Sequence, residues 1–212
     1  VRYYITALDN LGRNSRQPMY LDSQGSPQYQ GTVVGDPAIV TPLPVYHLFV
    51  QNPSAADTST GTRCSLFYDG EFYDNVFIRI RGGTARSWPK KSYKIEFNEG
   101  GSFRFRPDAP RVTEIDLNAT YTDKSYARSV LSSEFTRQSG FPAPEVFHVQ
   151  LRQNAAFFSV ALFVEMVDTD FLRRWNYNPQ GALYKAQGDP LGTYEKKTRK
   201  TENNADLQAL LN

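Results

Sequence analysis

The sequence predicts an α+β fold in which antiparallel strands dominate and one main helix packs on the sheet. Residues 45–106 contain runs of alternating apolar and polar side chains separated by turn sequences, which indicates an antiparallel meander. Residues 145–167 repeat this pattern as a further hairpin. Between them, residues 123–139 carry apolar side chains at helical spacing, and they are followed by Gly140, a residue type that commonly ends helices.

The composition is that of an ordinary globular protein, since 40% of the 212 residues are hydrophobic and 22% are charged. The formal net charge of +2 argues against general nucleic-acid binding. Cys64 is the single cysteine, so the chain forms neither an intrachain disulfide nor a thiolate metal cluster. His47 and His148 fall inside strand patterns, so a histidine metal site or triad has little support. No apolar run reaches the roughly 20 residues of a membrane-spanning helix.

Sequence patterns divide the chain into three parts. Residues 1–21 predict the tail end of a preceding immunoglobulin-like β domain, with a short partner strand at residues 19–21. Residues 22–44 are rich in Pro, Gly and Ser and predict a linker, and residues 45–212 form the main domain. Because a strand pattern starts at Val1 without a signal peptide, we expect an internal piece of a longer polypeptide.

The first strands of the main domain are defined by their turns. A strand at residues 45–50 is followed by a hairpin whose turn is Asp69-Gly70, because this dipeptide suits the positive φ angles of a two-residue turn. A second hairpin is predicted to join residues 92–97 to residues 102–106 through a glycine turn.

A short strand at residues 115–117 precedes the main helix, which Thr122 or Asp123 caps. The strand at residues 155–167 is almost continuously apolar, so we expect it to be central and buried. A short helix after Asp168, a strand at residues 182–185 and a last helix capped by Asn204 complete the predicted elements.

The stretch 78–97 joins a strand that carries Arg81 to a second strand through a glycine turn and a basic segment. Alternation places Lys91 on the same face as Tyr93 and Ile95, which we expect to be buried. A buried ammonium needs an anion to balance it. Lys91 is therefore either a strand-end lysine whose head group reaches water or a lysine that reaches a phosphate.

Five motifs follow one another along residues 46–185. They are Arg81-Gly82-Gly83 with Ser87, Pro89-Lys90-Lys91-Ser92-Tyr93-Lys94 and Phe97; residues 121–131; Gly140-Phe141-Pro142-Ala143-Pro144; residues 163–168 with Phe171-Leu172; and Gly181-Ala182-Leu183-Tyr184-Lys185. Together they resemble the signature of the spore coat protein H (CotH) kinase family.

The resemblance implies an atypical fold similar in outline to the N-terminal lobe and crossover of a protein kinase. It also implies ATP and Mg²⁺ as cofactors, Ser or Thr of a coat or surface protein as the acceptor, and an extracellular, cell-surface or spore-coat location. Arg81, Gly82, Gly83 and Lys91 are the candidate phosphate-binding residues, since backbone amides at a glycine turn approach a ligand closely. The turn is neither a GxGxxG loop nor a Walker A loop.

Two glutamates complete the candidate nucleotide site, and each has an alternative interpretation. Glu134 on the main helix either pairs with Lys91, as a helix glutamate pairs with a strand lysine in protein kinases, or lies on the surface. Glu165 ends a buried strand, where it lies beside the nucleotide base at the crossover, or caps a loop, or pairs with an arginine such as Arg173.

Catalytic and metal-binding residues are left unassigned. In the resembled family these roles belong to aspartates downstream of the Leu-Tyr-Lys motif. The aspartates that remain here, Asp189 and Asp206, are explained as a turn residue and a helix-start residue. The hypothesis is therefore an N-terminal lobe and crossover that stop before the catalytic aspartates. The alternative is a non-catalytic surface or adhesion module of a modular secreted protein.

Overall fold

A computed structural model describes residues 1–18, 28–98, 100–186 and 194–211. The partner strand predicted at residues 19–21 and the turn at Asp189 lie outside these ranges. The strands are β1 (Arg2–Tyr3), β2 (Ile5–Leu8), β3 (Asn14–Gln17), β4 (Gln30–Gly31), β5 (Val45–Val50), β6 (Thr62–Tyr68), β7 (Glu71–Ile80), β8 (Tyr93–Glu96), β9 (Glu114–Asn118), β10 (Val146–Gln153), β11 (Ala156–Glu165), β12 (Tyr184–Ala186) and β13 (Tyr194–Lys196). The helices are α1 (Pro53–Ala56), α2 (Arg128–Gln138), α3 (Thr169–Arg174) and α4 (Ala205–Leu211).

Seven strands close into a barrel in the order β5, β6, β7, β8, β9, β11 and β10. Neighbouring strands are antiparallel except at the closure, where β10 pairs in parallel with β5 from Gln150↔Val45 to Gln153↔Leu48. The predicted α+β class and antiparallel meander are confirmed. The barrel closure was not predicted, and the likeness to a kinase lobe stays a prediction.

The hairpin between β6 and β7 has the predicted turn. Tyr68 pairs with Glu71, and the two residues between them, Asp69 and Gly70, have φ angles of 47° and 78°. Both angles are positive, as a type I′ turn requires.

The alternation predicted around the central stretch is also present. Residues at every second position of neighbouring strands fill the barrel interior. These are Val76, Ile78 and Ile80 of β7, Tyr93 and Ile95 of β8, Ile115 and Leu117 of β9, and Ala161 and Phe163 of β11.

The prediction of a hairpin across residues 92–106 is wrong. Strand β8 pairs with β9 instead, and Phe103 makes only a single bridge to Val112. Both Phe103 and Phe105 are completely buried, and the Phe103 ring stacks on Phe97 with their centroids 4.9 Å apart. Burying two phenylalanine rings in the core stabilises the segment more than a regular edge strand, which would expose alternate side chains.

Helix α2 starts later than predicted and packs with a different face. The Asp123 carboxylate accepts the N–H of Arg128, so Asp123 orders the turn before the helix. Leu131 and Phe135 are 64% and 73% exposed, so the expected apolar packing face is wrong. The helix is instead held by its polar side, where the Ser133 hydroxyl donates to the carbonyl of Pro144.

Strand β11 is buried only in its second half, which corrects the prediction of a continuously buried strand. Phe157 and Phe158 are 61% and 40% exposed, whereas Leu162 and Phe163 are completely buried. The reason is that β11 pairs with β9 only from Leu162 onward.

Part of the N-terminal region lies against the barrel. Strand β1 pairs with β4, which contacts β7. Arg2 forms an ion pair with Asp74 at 3.3 Å, and the same carboxylate accepts the N–H of Tyr29 at 2.9 Å. The predicted domain boundaries, including the immunoglobulin-like assignment of residues 1–21, stay predictions.

Helix α3, strand β12 and helix α4 follow the predicted order, whereas β13, which pairs with β12, was not predicted. Asp168 caps α3 by accepting the N–H of Asp170, and Asp206 lies in the first turn of α4. The Asp206 carboxylate accepts the Tyr184 hydroxyl at 2.5 Å and lies 3.2 Å from Lys196 Nζ. In the part of the chain that the structure describes, no helix has the length and apolarity needed to cross a bilayer.

Candidate functional site

A cleft of about 330 Å³ opens where β7 and β9 end and β8 begins, beside the segment that leads into α2. Its walls include Arg81, Gly82, Trp88, Ser92, Asn118 and Asp123. Two of the predicted site residues, Arg81 and Gly82, therefore lie together at this cleft, and the glycine turn forms one wall.

The backbone at this wall requires glycine. The N–H of Arg81 donates to the carbonyl of Ser92 at 2.9 Å, and the chain then turns sharply through Gly82, whose φ is +100°. A Cβ on Gly82 would lie 3.0 Å from the Cβ of Ala85, which is a tight contact in the following 3-10 turn. Gly83 has open space at the same position. Of the two glycines, Gly82 is the one that the geometry demands.

Arg81 is anchored by a carboxylate that sequence patterns did not reveal. Its Nη1 lies 2.9 Å from Oδ2 of Asp116, whose side chain is only 4% exposed. Asp116 sits between Ile115 and Leu117, which point into the barrel, so its side chain lies on the outer face. The alternation in Glu114–Asn118 places Asp116 on that face, but only the strand register brings it to Arg81.

The environment of Asp116 is unusual for a carboxylate. Its Oδ1 is buried, and no hydrogen-bond partner for it occurs within the described residues. Burial disfavours the charged form and raises the pKa of Asp116 to about 6, although the positive charges of Arg81 and Lys94 oppose this shift. Lys94 itself lies 2.5 Å from Glu114, so the outer face of β7, β8 and β9 carries several coupled charges.

Lys91 lies just before β8 and supports the turn. Its Nζ donates to the carbonyl of Arg86 at 2.7 Å, which ties the start of β8 to the 3-10 turn. The neighbouring Lys90, which sequence patterns did not single out, donates to the carbonyl of Val160 at 2.6 Å and to the hydroxyl of Tyr126 at 2.9 Å. Lys90 thereby joins the basic segment to β11.

Of the two interpretations of Glu134, this conformation shows the surface one, since Glu134 is held on its own helix and the Lys91 ammonium binds the carbonyl of Arg86. The Glu134 carboxylate accepts hydrogen bonds from Arg137 and from Gln138, the latter at 2.7 Å. Side chains three and four residues apart on a helix are neighbours, so Glu134 finds its partners on its own helix.

Glu165 is 3% exposed and is held by an arginine, as one interpretation expects, and that arginine is Arg174, the neighbour of Arg173. Arg174 Nε donates to Oε1 at 2.8 Å, and the N–H of Glu145 donates to Oε2 at 2.9 Å. Arg173 instead pairs with Asp170 at 2.5 Å. Arg174 lies on the side of α3 that faces the barrel. The sequence alone does not show which of the two neighbouring arginines occupies that side.

Two further clefts lie on the surface. One, of about 430 Å³, lies between α2 and the barrel and shares Asn118 and Ser129 with the first cleft. The other, of about 670 Å³, lies between the N-terminal region and the barrel and includes Asp74 and Cys64. Burial raises the pKa of the Cys64 thiol to about 12, so it is not an activated nucleophile.

Across residues 1–18, 28–98, 100–186 and 194–211, no group of three or more His, Cys, Asp and Glu side chains is arranged to hold a metal ion.

Comparisons with known proteins match the part of the chain that forms this cleft. The family model described as CotH kinase protein matches residues 78–212, which include Arg81, Gly82 and Asp116. The inner spore coat protein H of Bacillus subtilis (strain 168) is 30% identical over 155 residues. That match covers 65% of this chain and 41% of the relative, so the chain spans less than half the length of that protein.

Proposed function

Because the chain belongs to the CotH kinase family, we propose that it forms the nucleotide-binding part of an atypical protein-kinase-like domain, corresponding to an N-terminal lobe and crossover. The proposed reaction transfers the γ-phosphoryl group of ATP to Ser or Thr of a coat or surface protein. In this proposal the acceptor-activating and metal-binding aspartates belong to residues beyond this chain.

The cleft at Gly82 carries the proposal. A positive φ at Gly82 turns the backbone beside the cleft, and the Arg81 guanidinium is held at the same wall by Asp116. Phosphoryl transfer requires a cradle for the phosphates and cations that neutralise them, and a glycine turn with an anchored guanidinium supplies both. Gly83 extends the turn, and Lys91 adds a positive charge close to it.

ATP fits these residues better than Mg²⁺ does. A side chain at Gly82 would crowd the turn, and the guanidinium of Arg81 carries five N–H donors suited to phosphate oxygens. For Mg²⁺, the described part of the chain offers no group of three or more His, Cys, Asp and Glu side chains that could hold the ion. The nucleotide roles of Glu134 and Glu165 stay predictions, since both carboxylates are held by arginines in this conformation.

A spore-coat or surface location belongs to the same proposal. It is supported by the name of the similar protein, an inner spore coat protein, and by family membership. The protein substrate is proposed to share that location.

Calorimetry of ATP binding in the presence of Mg²⁺ tests the proposal, with the full-length protein and this 212-residue chain side by side. We expect the full-length protein to bind and Arg81→Met to weaken binding at least about tenfold, which corresponds to about 1.4 kcal/mol. Lys91→Ala should weaken binding as well. The matched control is Arg79→Met, which removes a guanidinium from the same face of β7 that pairs with Glu96 instead. Failure of the full-length protein to bind ATP would overturn the proposal.

A non-catalytic surface or adhesion module is the second candidate function. It is favoured by exposed apolar side chains, including Ile5 at 60%, Leu131 at 64% and Phe135 at 73%. Exposed apolar surface of this kind suits contact with another protein. A phosphotransfer assay on coat proteins with the full-length protein separates the two functions, since a binding module transfers no phosphate.

A further inference from the structure

The ion pair between Arg81 and Asp116 connects the cleft to a buried carboxylate with no established role. We propose that Asp116 is a positioning residue, which holds the guanidinium of Arg81 at the cleft so that its remaining N–H groups face a polyphosphate. The inference rests on the proposed function, because it assigns the polyphosphate of a nucleotide to this cleft.

The geometry of Arg81 is suited to such a role. The ion pair is made through Nη1 at 2.9 Å, and a guanidinium carries further donors on its other nitrogens. The Arg81 side chain is 34% exposed, whereas that of Asp116 is 4% exposed. The guanidinium is therefore anchored through Nη1, while the Arg81 side chain keeps about a third of its surface exposed and lines the cleft. An anchored side chain loses less conformational freedom when a ligand binds.

A purely structural role does not explain Asp116. Its Oδ1 is buried, and within the described ranges nothing donates a hydrogen bond to it. On β11 the residue opposite Asp116 is Val164, which offers no polar group from its side chain. A buried carboxylate with an unsatisfied oxygen destabilises a fold, and an uncharged side chain of the same shape reduces that cost. Asp116 is thus placed where it costs stability but controls a cation at the cleft.

The charge state of the Asp116 carboxylate provides a second way to test the proposal. The charged groups that face Asp116 are Arg79 of β7, Arg81 just after β7, Lys94 of β8 and Glu114 of its own strand. Burial raises the pKa of Asp116 to about 6 in spite of the three cations. Lowering the pH through this value neutralises the carboxylate and removes the charge that anchors Arg81.

The test compares the wild-type full-length protein with Asp116→Asn from pH 5 to pH 8, measuring affinity for ATP with Mg²⁺ and for inorganic tripolyphosphate. We expect Asp116→Asn to bind both probes about tenfold more weakly at pH 8 and to match the wild type at pH 5. The readout is the ratio of the wild-type affinity to the Asp116→Asn affinity for the same probe. The titration of the phosphates affects both proteins equally and cancels in this ratio. The structural role alone would leave this ratio independent of pH.

Two variants make the outcome specific. In Arg81→Met, adding Asp116→Asn should cause no further loss, because the residue that Asp116 positions is gone. Glu114→Gln removes a neighbouring carboxylate that pairs with Lys94. In this background the effect of Asp116→Asn should still depend on pH, with its midpoint at a lower pH, because the negative charge of Glu114 helps to raise the pKa of Asp116. Thermal unfolding verifies that each variant is folded.

The outcomes separate this inference from the proposed function. If Arg81→Met weakens binding but Asp116→Asn binds as well as the wild type or more tightly at pH 8, the positioning role is overturned and the nucleotide site stands. If the wild type binds neither ATP nor tripolyphosphate, the proposed function fails, and the positioning role fails with it.

Discussion

Nε of Arg174 lies 2.8 Å from Oε1 of Glu165, and the two side chains are 14% and 1% exposed. This pair joins α3 to the end of β11, and Glu145 and Arg137 extend it to β10 and α2. A carboxylate buried this deeply is stable only with its partner in place, so the pair fixes how the helices sit on the barrel.

Arg174→Met is therefore expected to destabilise the fold by about 3–5 kcal/mol, because it leaves the Glu165 carboxylate buried and unpaired. Chemical denaturation of the wild type and the variant measures this difference. Arg173→Met is the matched control, since its guanidinium is 55% exposed and pairs with Asp170 one turn earlier. Equal losses in the free energy of unfolding for the two substitutions would show that the buried pair contributes no more stability than the exposed one.

Gly82→Ala should destabilise the protein by about 1–2 kcal/mol, since a residue with a Cβ is strained at a φ of +100°. Gly83→Ala has open space and should change stability little. Thermal unfolding of both variants checks the difference. A stability loss that is larger for Gly83→Ala than for Gly82→Ala would contradict the described turn.

The exposed apolar residues of α2 should tolerate polar substitution. Phe135→Gln is expected to change the free energy of unfolding by less than about 0.5 kcal/mol, because the ring is 73% exposed. Phe163→Ala, at a completely buried position, should cost about 3–5 kcal/mol. If Phe135→Gln proves as damaging as Phe163→Ala, the helix packs with its apolar face after all.

Stability at low pH should depend on Glu71. Its hydrogen bond from Arg111, with further ones from Tyr73 and Arg104, lowers the pKa of Glu71 from 4.5 to about 2. A carboxyl group whose pKa is lower in the folded state stabilises the fold above its unfolded pKa, and this contribution is lost as the pH falls from about 4.5 through about 2. Melting temperatures of the wild type and Glu71→Gln should therefore differ at pH 6 and converge near pH 2. A difference that persists unchanged at pH 2 would contradict this.

Local patterns predicted those parts of the molecule in which neighbours along the chain decide the structure. The turn at Asp69-Gly70 and the burial of Tyr93 and Ile95 follow from dihedral preference and period-2 alternation, and both are present. The strand predicted at Phe103 is not formed, because burying its ring in the core stabilises this segment more than strand pairing would.

The candidate site was predicted less completely, because it depends on contacts between distant residues. Arg81 and Gly82 follow from motif and turn chemistry, whereas the pairing of Arg81 with Asp116 depends on the order of β7, β8 and β9 in the barrel. The same limit leaves the partner of Glu134 open between Lys91 and solvent when only the sequence is considered. The alternation of side chains along a strand shows which face a side chain occupies, but it does not show which residue of another element lies opposite.

The structure of the full-length protein with a non-hydrolysable ATP analogue and Mg²⁺ tests the central claim most directly. The account predicts phosphate oxygens about 3 Å from the guanidinium of Arg81, with the backbone at Gly82 and Gly83 turned toward them. An analogue bound elsewhere, such as in the larger cleft beside Asp74, would contradict the claim that this cleft receives the nucleotide.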